Sequence, residues 1–237
     1  MQAFTSNSKT ILSIDFDRFK TCPQICKYCY VGNMERIYPA YKQKIERNEN
    51  WAKEKPDNFA KQLNLEYEKL RKSKAKNYKR LNKLPVRVYG SGDYHPIHHE
   101  WMKKVDFKFY IISKTLSLSH MHDELKKLLK LKNLTKVILS FDSTNLINYE
   151  KCKQFLKTDK IGFAYTGMAD EFNVVKTTGY TFDIFFNISD KKIEKEKSRL
   201  IKEQCPCDSG LLAHAESCSK CNKCWRSSVT SSPDWNK

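Results

Sequence analysis

Six apolar runs recur along the chain, separated by segments of helical spacing, and this alternation limits the possible folds more than any other feature. The runs are Ile11-Leu-Ser-Ile-Asp-Phe16, Val86-Arg-Val-Tyr89, Phe107-Lys-Phe-Tyr-Ile-Ile112, Val137-Ile-Leu-Ser-Phe141, Ile161-Gly-Phe-Ala-Tyr165 and Phe182-Asp-Ile-Phe-Phe186. Each has the length and the β-branched or aromatic content of a buried strand. Between the first two, Phe59, Leu63, Tyr67 and Leu70, then Tyr78 and Leu81, keep helical spacing until Pro85 closes the segment. A short helix is expected over 98–103. Ser117 or Ser119 is expected to cap the next, which carries Leu125, Leu128, Leu129 and Leu131. Helices over 149–156 and 169–176 complete the series.

Strands and helices in strict alternation require crossover connections, and hence a parallel sheet. Six units are too few for eight-fold closure. The expected fold is therefore α/β, an open, partial (β/α)6 TIM-like barrel over residues 1–200, with functional groups at the C-terminal strand ends. Residues 41–84 are long for one crossover and read as a basic insertion.

The loop after the first strand carries the chemistry. Thr21-Cys-Pro-Gln-Ile-Cys-Lys-Tyr-Cys-Tyr30 places Cys22, Cys26 and Cys29 at C-x3-C-x2-C spacing, with an aromatic residue, Tyr28, before the third cysteine. A cubane iron–sulfur cluster needs four ligands, so a triad leaves one iron open. A zinc knuckle or unrelated thiols are the alternatives, but zinc sites usually pair C-x2-C with a second, distant pair. At the end of the second strand, Tyr89-Gly-Ser-Gly-Asp-Tyr-His95 adds a glycine-rich turn closed by Asp93. Its glycines let backbone approach a ligand closely.

These two motifs resemble the signature of the radical S-adenosylmethionine (SAM) enzymes. The resemblance implies that Cys22, Cys26 and Cys29 hold three irons of a [4Fe-4S] cluster while SAM chelates the fourth. One electron would then cleave the sulfonium to a 5′-deoxyadenosyl radical that abstracts a substrate hydrogen. It further implies that Gly90, Ser91, Gly92 and Asp93 contact the methionine amino group and that Tyr28 lies near the adenine. Ser113, with the neighbouring Lys114, then Ser140 and Asp142, would contact ribose and carboxylate, with turn chemistry and helix capping as the ordinary alternative. The reductant would be a flavodoxin or ferredoxin. The Ser-Gly-Asp form of the turn, with Trp101 and a C-terminal Cys-x2-Cys-x2-Cys-Trp, is similar to small radical SAM proteins encoded by bacteriophages.

Five more cysteines, Cys205, Cys207, Cys218, Cys221 and Cys224, fill a short extension over residues 201–237. C-x2-C-x2-C with a remote Cys-Pro is like a bacterial ferredoxin ligand set, although here the proline-linked residue lies upstream. Cys205, Cys218, Cys221 and Cys224 are the preferred four ligands, with Cys207 the alternate. A second, auxiliary [4Fe-4S] cluster and tetrahedral zinc both suit them. Cys152, on a helical segment, reads as a packed core thiol.

The 237 residues carry nine cysteines and a formal charge of +17. The start has no apolar signal core and no stretch approaches the about 18 apolar residues of a membrane span, so a cytoplasmic location and no membrane partner are expected. A reducing compartment favours metal binding over disulfides. The basic balance points to a polyanion, nucleic acid before any membrane surface. Lysine-rich coding bias is the bland alternative. Residues 69–83 hold eight Lys or Arg and no acid, as a solvated helix face or a phosphate-tracking surface. His95, His98 and His99 read as surface or capping residues, or as a substrate-facing acid or base. A nucleic-acid base or nucleotide is the expected substrate. A peptide, protein or small molecule is the second enzyme reading, and a non-catalytic metal-stabilised nucleic-acid-binding protein is the alternative of another class.

Overall fold

A computed structural model describes residues 2–5, 12–22, 31–73, 84–167 and 169–187, with the side chains of 19, 32, 33, 169, 170, 172, 173 and 187 left aside. Seven strands form one sheet in sequence order. They are β1 (Phe4–Thr5), β2 (Ser13–Ile14), β3 (Val86–Val88), β4 (Phe109–Ser113), β5 (Leu134–Phe141), β6 (Ile161–Gly167) and β7 (Ile184–Asn187). From β2 to β7 every pairing is parallel; β1 pairs antiparallel with β2, Phe4 opposite Ile14. The six parallel strands coincide with the six apolar runs.

The strand β1 had no signal in the sequence, because side chains far along the chain define it. Glu66 accepts hydrogen bonds from the Ala3 and Phe4 amides, Lys44 donates to the Phe4 carbonyl, and Asn48 donates to that of Ala3. Those contacts occupy the polar groups that an edge strand would otherwise leave open to pairing.

The helices are α1 (Arg18–Thr21), α2 (Val31–Ile37), α3 (Pro39–Glu54), α4 (Pro56–Lys72), α5 (His99–Met102), α6 (His122–Leu129), α7 (Tyr149–Cys152) and α8 (Ala169–Thr177). The long 41–84 stretch begins with two helices, each opened by a proline at its first position, where the missing N–H costs nothing. Residues 98–103 start as a 3-10 turn, Pro96–His98, before α5, and 149–156 divide into α7 and a 3-10 segment, Lys153–Lys157. Neither Ser117 nor Ser119 caps α6. The Ser117 hydroxyl donates to the Lys114 carbonyl and that of Ser119 to Asn148.

The side-chain alternation of each strand sorts the core into two faces. Ile14, Val88, Ile111, Val137, Leu139, Phe141, Phe163 and Phe185 pack with residues from α3 to α8, among them Phe59, Trp101, Leu125, Leu128 and Tyr149. Ile138, Ala164 and Ile184, on the opposite face, form a small separate cluster edged by the half-buried Ile112 and Phe186, with no residue of a described helix in it. Cys152 lies in the helix-side core, where burial pushes its thiol up to about 12. No described helix is long and apolar enough to cross a membrane.

Candidate functional site at the strand ends

Two motifs more than sixty residues apart in sequence meet where β2 and β3 end. The Asp93 amide donates to the Thr21 hydroxyl at 3.1 Å, and Thr21 in turn donates to the Asp17 carbonyl at 2.8 Å. Thr21 is the last residue of α1 and immediately precedes Cys22, which is half-buried. Ser91 is held from two sides. Its amide donates to Asp15 Oδ1 at 3.0 Å, its hydroxyl to the Phe16 carbonyl at 3.0 Å, and its own carbonyl accepts from the Phe16 amide at 3.3 Å. The glycine-rich turn is thereby fastened to the segment that leads into the cysteines.

Both glycines are required by this docking. A Cβ on Gly90 would lie 2.0 Å from Asp15 Oδ1 and 2.8 Å from Ser13 Oγ. Gly92 has φ +77°, and a Cβ there would lie 2.5 Å from Thr21 Oγ1. The far side of the cysteine loop is clipped as well, because Arg18 Nε of α1 sits 3.2 Å from Glu35 Oε2 of α2.

Asp93 faces inward, 5% exposed. Its Oδ1 accepts from the Tyr94 amide at 2.6 Å and its Oδ2 from the Lys114 and Thr115 amides at 3.0 and 2.9 Å. Burial lifts this carboxyl above the ordinary carboxylate range, while the Ser113 hydroxyl and the Thr115 and Tyr94 amides pull it down. The carboxylate therefore braces the ends of β3 and β4 together. Ser113 is buried in the same layer, and its hydroxyl accepts from the Leu116 amide at 3.0 Å.

A second polar knot follows β5. Lys114 Nζ reaches Asp142 Oδ2 at 2.5 Å and the Thr144 hydroxyl at 2.8 Å. Asn145 ties the knot, accepting from the Asp142 amide at 2.7 Å and donating to the Ser140 carbonyl and the Ser117 hydroxyl. Ser140 and Thr166 lie one step along the face opposite the described helices from Ile138 and Ala164, half-buried, with hydroxyls 3.4 Å apart. Tyr165, pointing the other way, is buried, and burial pushes its phenol up to about 12.

The expected site residues thus separate into framework and surface. Ser91, Asp93, Ser113 and Asp142 are buried and engaged; Gly90, Gly92, Ser140 and Cys22 are half-buried at the strand ends. Tyr28, Cys26 and Cys29, and Cys205, Cys207, Cys218, Cys221 and Cys224, lie outside the described residues. Thr21, Asp15, Thr166 and Asn145 were not anticipated. The acids following Ile14 in Ile14-Asp-Phe-Asp17 were the available signal for Asp15, since charge at the end of a buried strand has a purpose. His98, expected as a surface or capping residue or a substrate-facing acid or base, is fully buried, whereas His95 caps the turn Pro96–His98 by accepting from the Ile97 amide.

No curated protein and no solved structure matches the chain. A family match does cover nearly all of it, strand ends and cysteine motifs included: residues 2–227 fit the family described as Gene product 88, and the chain belongs to that family.

Proposed function

We propose that the chain is a radical SAM enzyme built on a partial (β/α)6 barrel, modifying a nucleic-acid base or nucleotide. The observation that carries this reading is the hydrogen bond from Asp93 to Thr21, which fastens the Gly-Ser-Gly-Asp turn to the residue before the first cysteine. Six parallel strands in sequence order, with helices α3 to α8 on one face, support the barrel wall.

The donors present suit an iron–sulfur centre. Near Cys22, the carboxylates of Asp15 and Asp93 accept backbone amides, and Cys22 supplies a thiol beside them. Cys22, Cys26 and Cys29 would hold a [4Fe-4S] cluster, which supplies the electron that cleaves SAM to the hydrogen-abstracting 5′-deoxyadenosyl radical. Gly90 and Gly92, the half-buried members of the turn, offer backbone to the methionine end of SAM. Ser91 and Asp93 hold that backbone in place from inside. Ser140 and Thr166 offer hydroxyls on the face opposite the described helices. The C-terminal cysteines would carry the auxiliary [4Fe-4S] cluster, with zinc as its rival. The net charge supports a polyanionic substrate.

Anaerobic reconstitution with iron and sulfide, then dithionite and SAM, should yield 5′-deoxyadenosine, and Cys26→Ala should abolish it. No product, with zinc as the sole metal bound, would overturn the assignment. Salt-dependent binding to RNA or DNA tests the substrate class separately; equal indifference to both polymers would move the substrate to a peptide or small molecule.

A further inference from the structure

The entry to the glycine-rich turn is strained. Tyr89, directly before Gly90, has φ +64°, a conformation that bulky residues seldom adopt, and it is 1% exposed. Such a backbone persists only where its surroundings enforce it. The Tyr89 and Gly90 amides both donate to the Ile14 carbonyl, at 2.9 and 3.3 Å, and a chain of buried polar groups meets the Tyr89 side chain. The Tyr89 phenol oxygen accepts from the His95 amide at 3.4 Å and lies 2.8 Å from His98 Nδ1. His98 is fully buried, and its Nε2 faces Glu49 Oε2 of α3 at 3.3 Å, off the line of a hydrogen bond.

Burial pushes the Tyr89 phenol far up, so it remains protonated. Its oxygen and His98 Nδ1 share one hydrogen bond, whose direction follows the imidazole tautomer. On its other side the His98 ring meets Glu49 by the 3.3 Å contact of Nε2 with Oε2. Phe16 packs against His98 with tilted rings, centroids 4.2 Å apart, and its carbonyl receives the Ser91 hydroxyl. Asn48, beside Glu49, donates to the Asp15 carbonyl, while Asp15 Oδ1 receives the Ser91 amide. Two routes therefore run from α3 to the turn, one through Tyr89 and one through Asp15.

A buried carboxylate and imidazole are costly to keep, and apolar residues of the same volume would fill this space more cheaply. Their placement behind a strained residue at the head of the turn gives them a purpose. We infer that Glu49, His98 and Tyr89 form a buried positioning relay that holds the turn over residues 90–93 against the segment entering the cysteine loop. The relay deepens the radical SAM reading, but its first test does not depend on it.

Hydrogen exchange with mass spectrometry on the full chain, without ligand, reads the relay directly. Tyr89→Phe keeps the ring and removes the hydroxyl. It should speed exchange of the Ser91 and Asp93 amides about tenfold or more while the β5 amides keep wild-type protection. Glu49→Ala should loosen the same amides and Glu49→Gln should restore them. Wild-type protection of the turn in Tyr89→Phe would overturn the inference. Should that variant lose β5 protection as well, the Glu49→Ala and Glu49→Gln pair decides: loosening confined to the turn supports the relay and unchanged exchange overturns it. A second arm adds SAM to anaerobically reconstituted protein. Wild type should gain protection in the turn, and Tyr89→Phe should bind about tenfold more weakly at equal iron content. A wild-type turn indifferent to SAM would defeat the radical SAM reading and leave the ligand-free exchange to judge the relay.

Discussion

Asp93 and Asp142 stand at the ends of β3 and β5, both at positions where a ligand contact was expected, and their surroundings differ in kind. Asp93 is satisfied almost wholly by backbone, three amides from residues 94, 114 and 115. Asp142 is satisfied chiefly by side chains: the Lys114 ammonium on Oδ2 and, on Oδ1, the Thr144 hydroxyl with its amide. One acid fixes the course of the main chain, whereas the other balances a buried charge. Lys114 links them, giving its amide to the first and its ammonium to the second. The strand ends are therefore rigid on the β3–β4 side for a geometric reason and on the β4–β5 side for an electrostatic one, and the two should fail differently.

The largest effect belongs to the charge. Asp142→Ala removes the carboxylate facing an ammonium whose side chain is 9% exposed, and should cost about 3–5 kcal/mol in urea unfolding. The double variant Lys114→Met, Asp142→Leu should recover most of that loss, because an apolar pair removes both charges together. A double variant as unstable as the single one would show that Asp142 also acts on backbone.

Asp93→Asn is isosteric, yet it sets an NH2 group against amides that already point inward. About 1–3 kcal/mol is expected, the cost of a buried donor facing a donor. Gly92→Ala should cost about 1–2 kcal/mol, because its φ is positive and Thr21 must turn away from the new methyl group. Its loss should overlap that of Thr21→Val, so the double variant should lose less than the sum. Strict additivity would separate the turn from the cysteine loop and sharpen the contrast against Asp142.

The fold was legible where order is local and illegible where it is not. The six parallel strands carry their own apolar content, so each could be located from a few neighbouring residues. β1 is two residues long and is defined by Lys44, Asn48 and Glu66, which no short window contains. The split of the long crossover into α3 and α4 was marked by Pro39 and Pro56, a signal present but unused. At the site, the Gly-Ser-Gly-Asp turn was located correctly at a strand end, because glycine and acid after an apolar run need no long-range information. The part Asp93 plays was not legible, since its partners lie about twenty residues on. The burial of His98 depended on Glu49, 49 residues earlier in the chain, and on the ring of Phe16.

The smallest effect on stability should accompany the clearest effect on binding. Ser140 and Thr166 are half-buried, on the face opposite the described helices, and their hydroxyls face each other at 3.4 Å, too long to hold the sheet together. Replacing Ser140 by Ala, or Thr166 by Val, should change unfolding free energy by no more than about 0.5 kcal/mol. Neither Asp93 nor Asp142 can be altered so cheaply, because each is buried and bonded. If the strand ends divide into framework and ligand surface, Ser140→Ala should weaken SAM binding several-fold in equilibrium dialysis of the reconstituted protein at unchanged stability. The reverse outcome, lost stability with intact binding, would place Ser140 in the framework beside the two acids. The ligand surface would then narrow to the half-buried glycines and the cysteine loop.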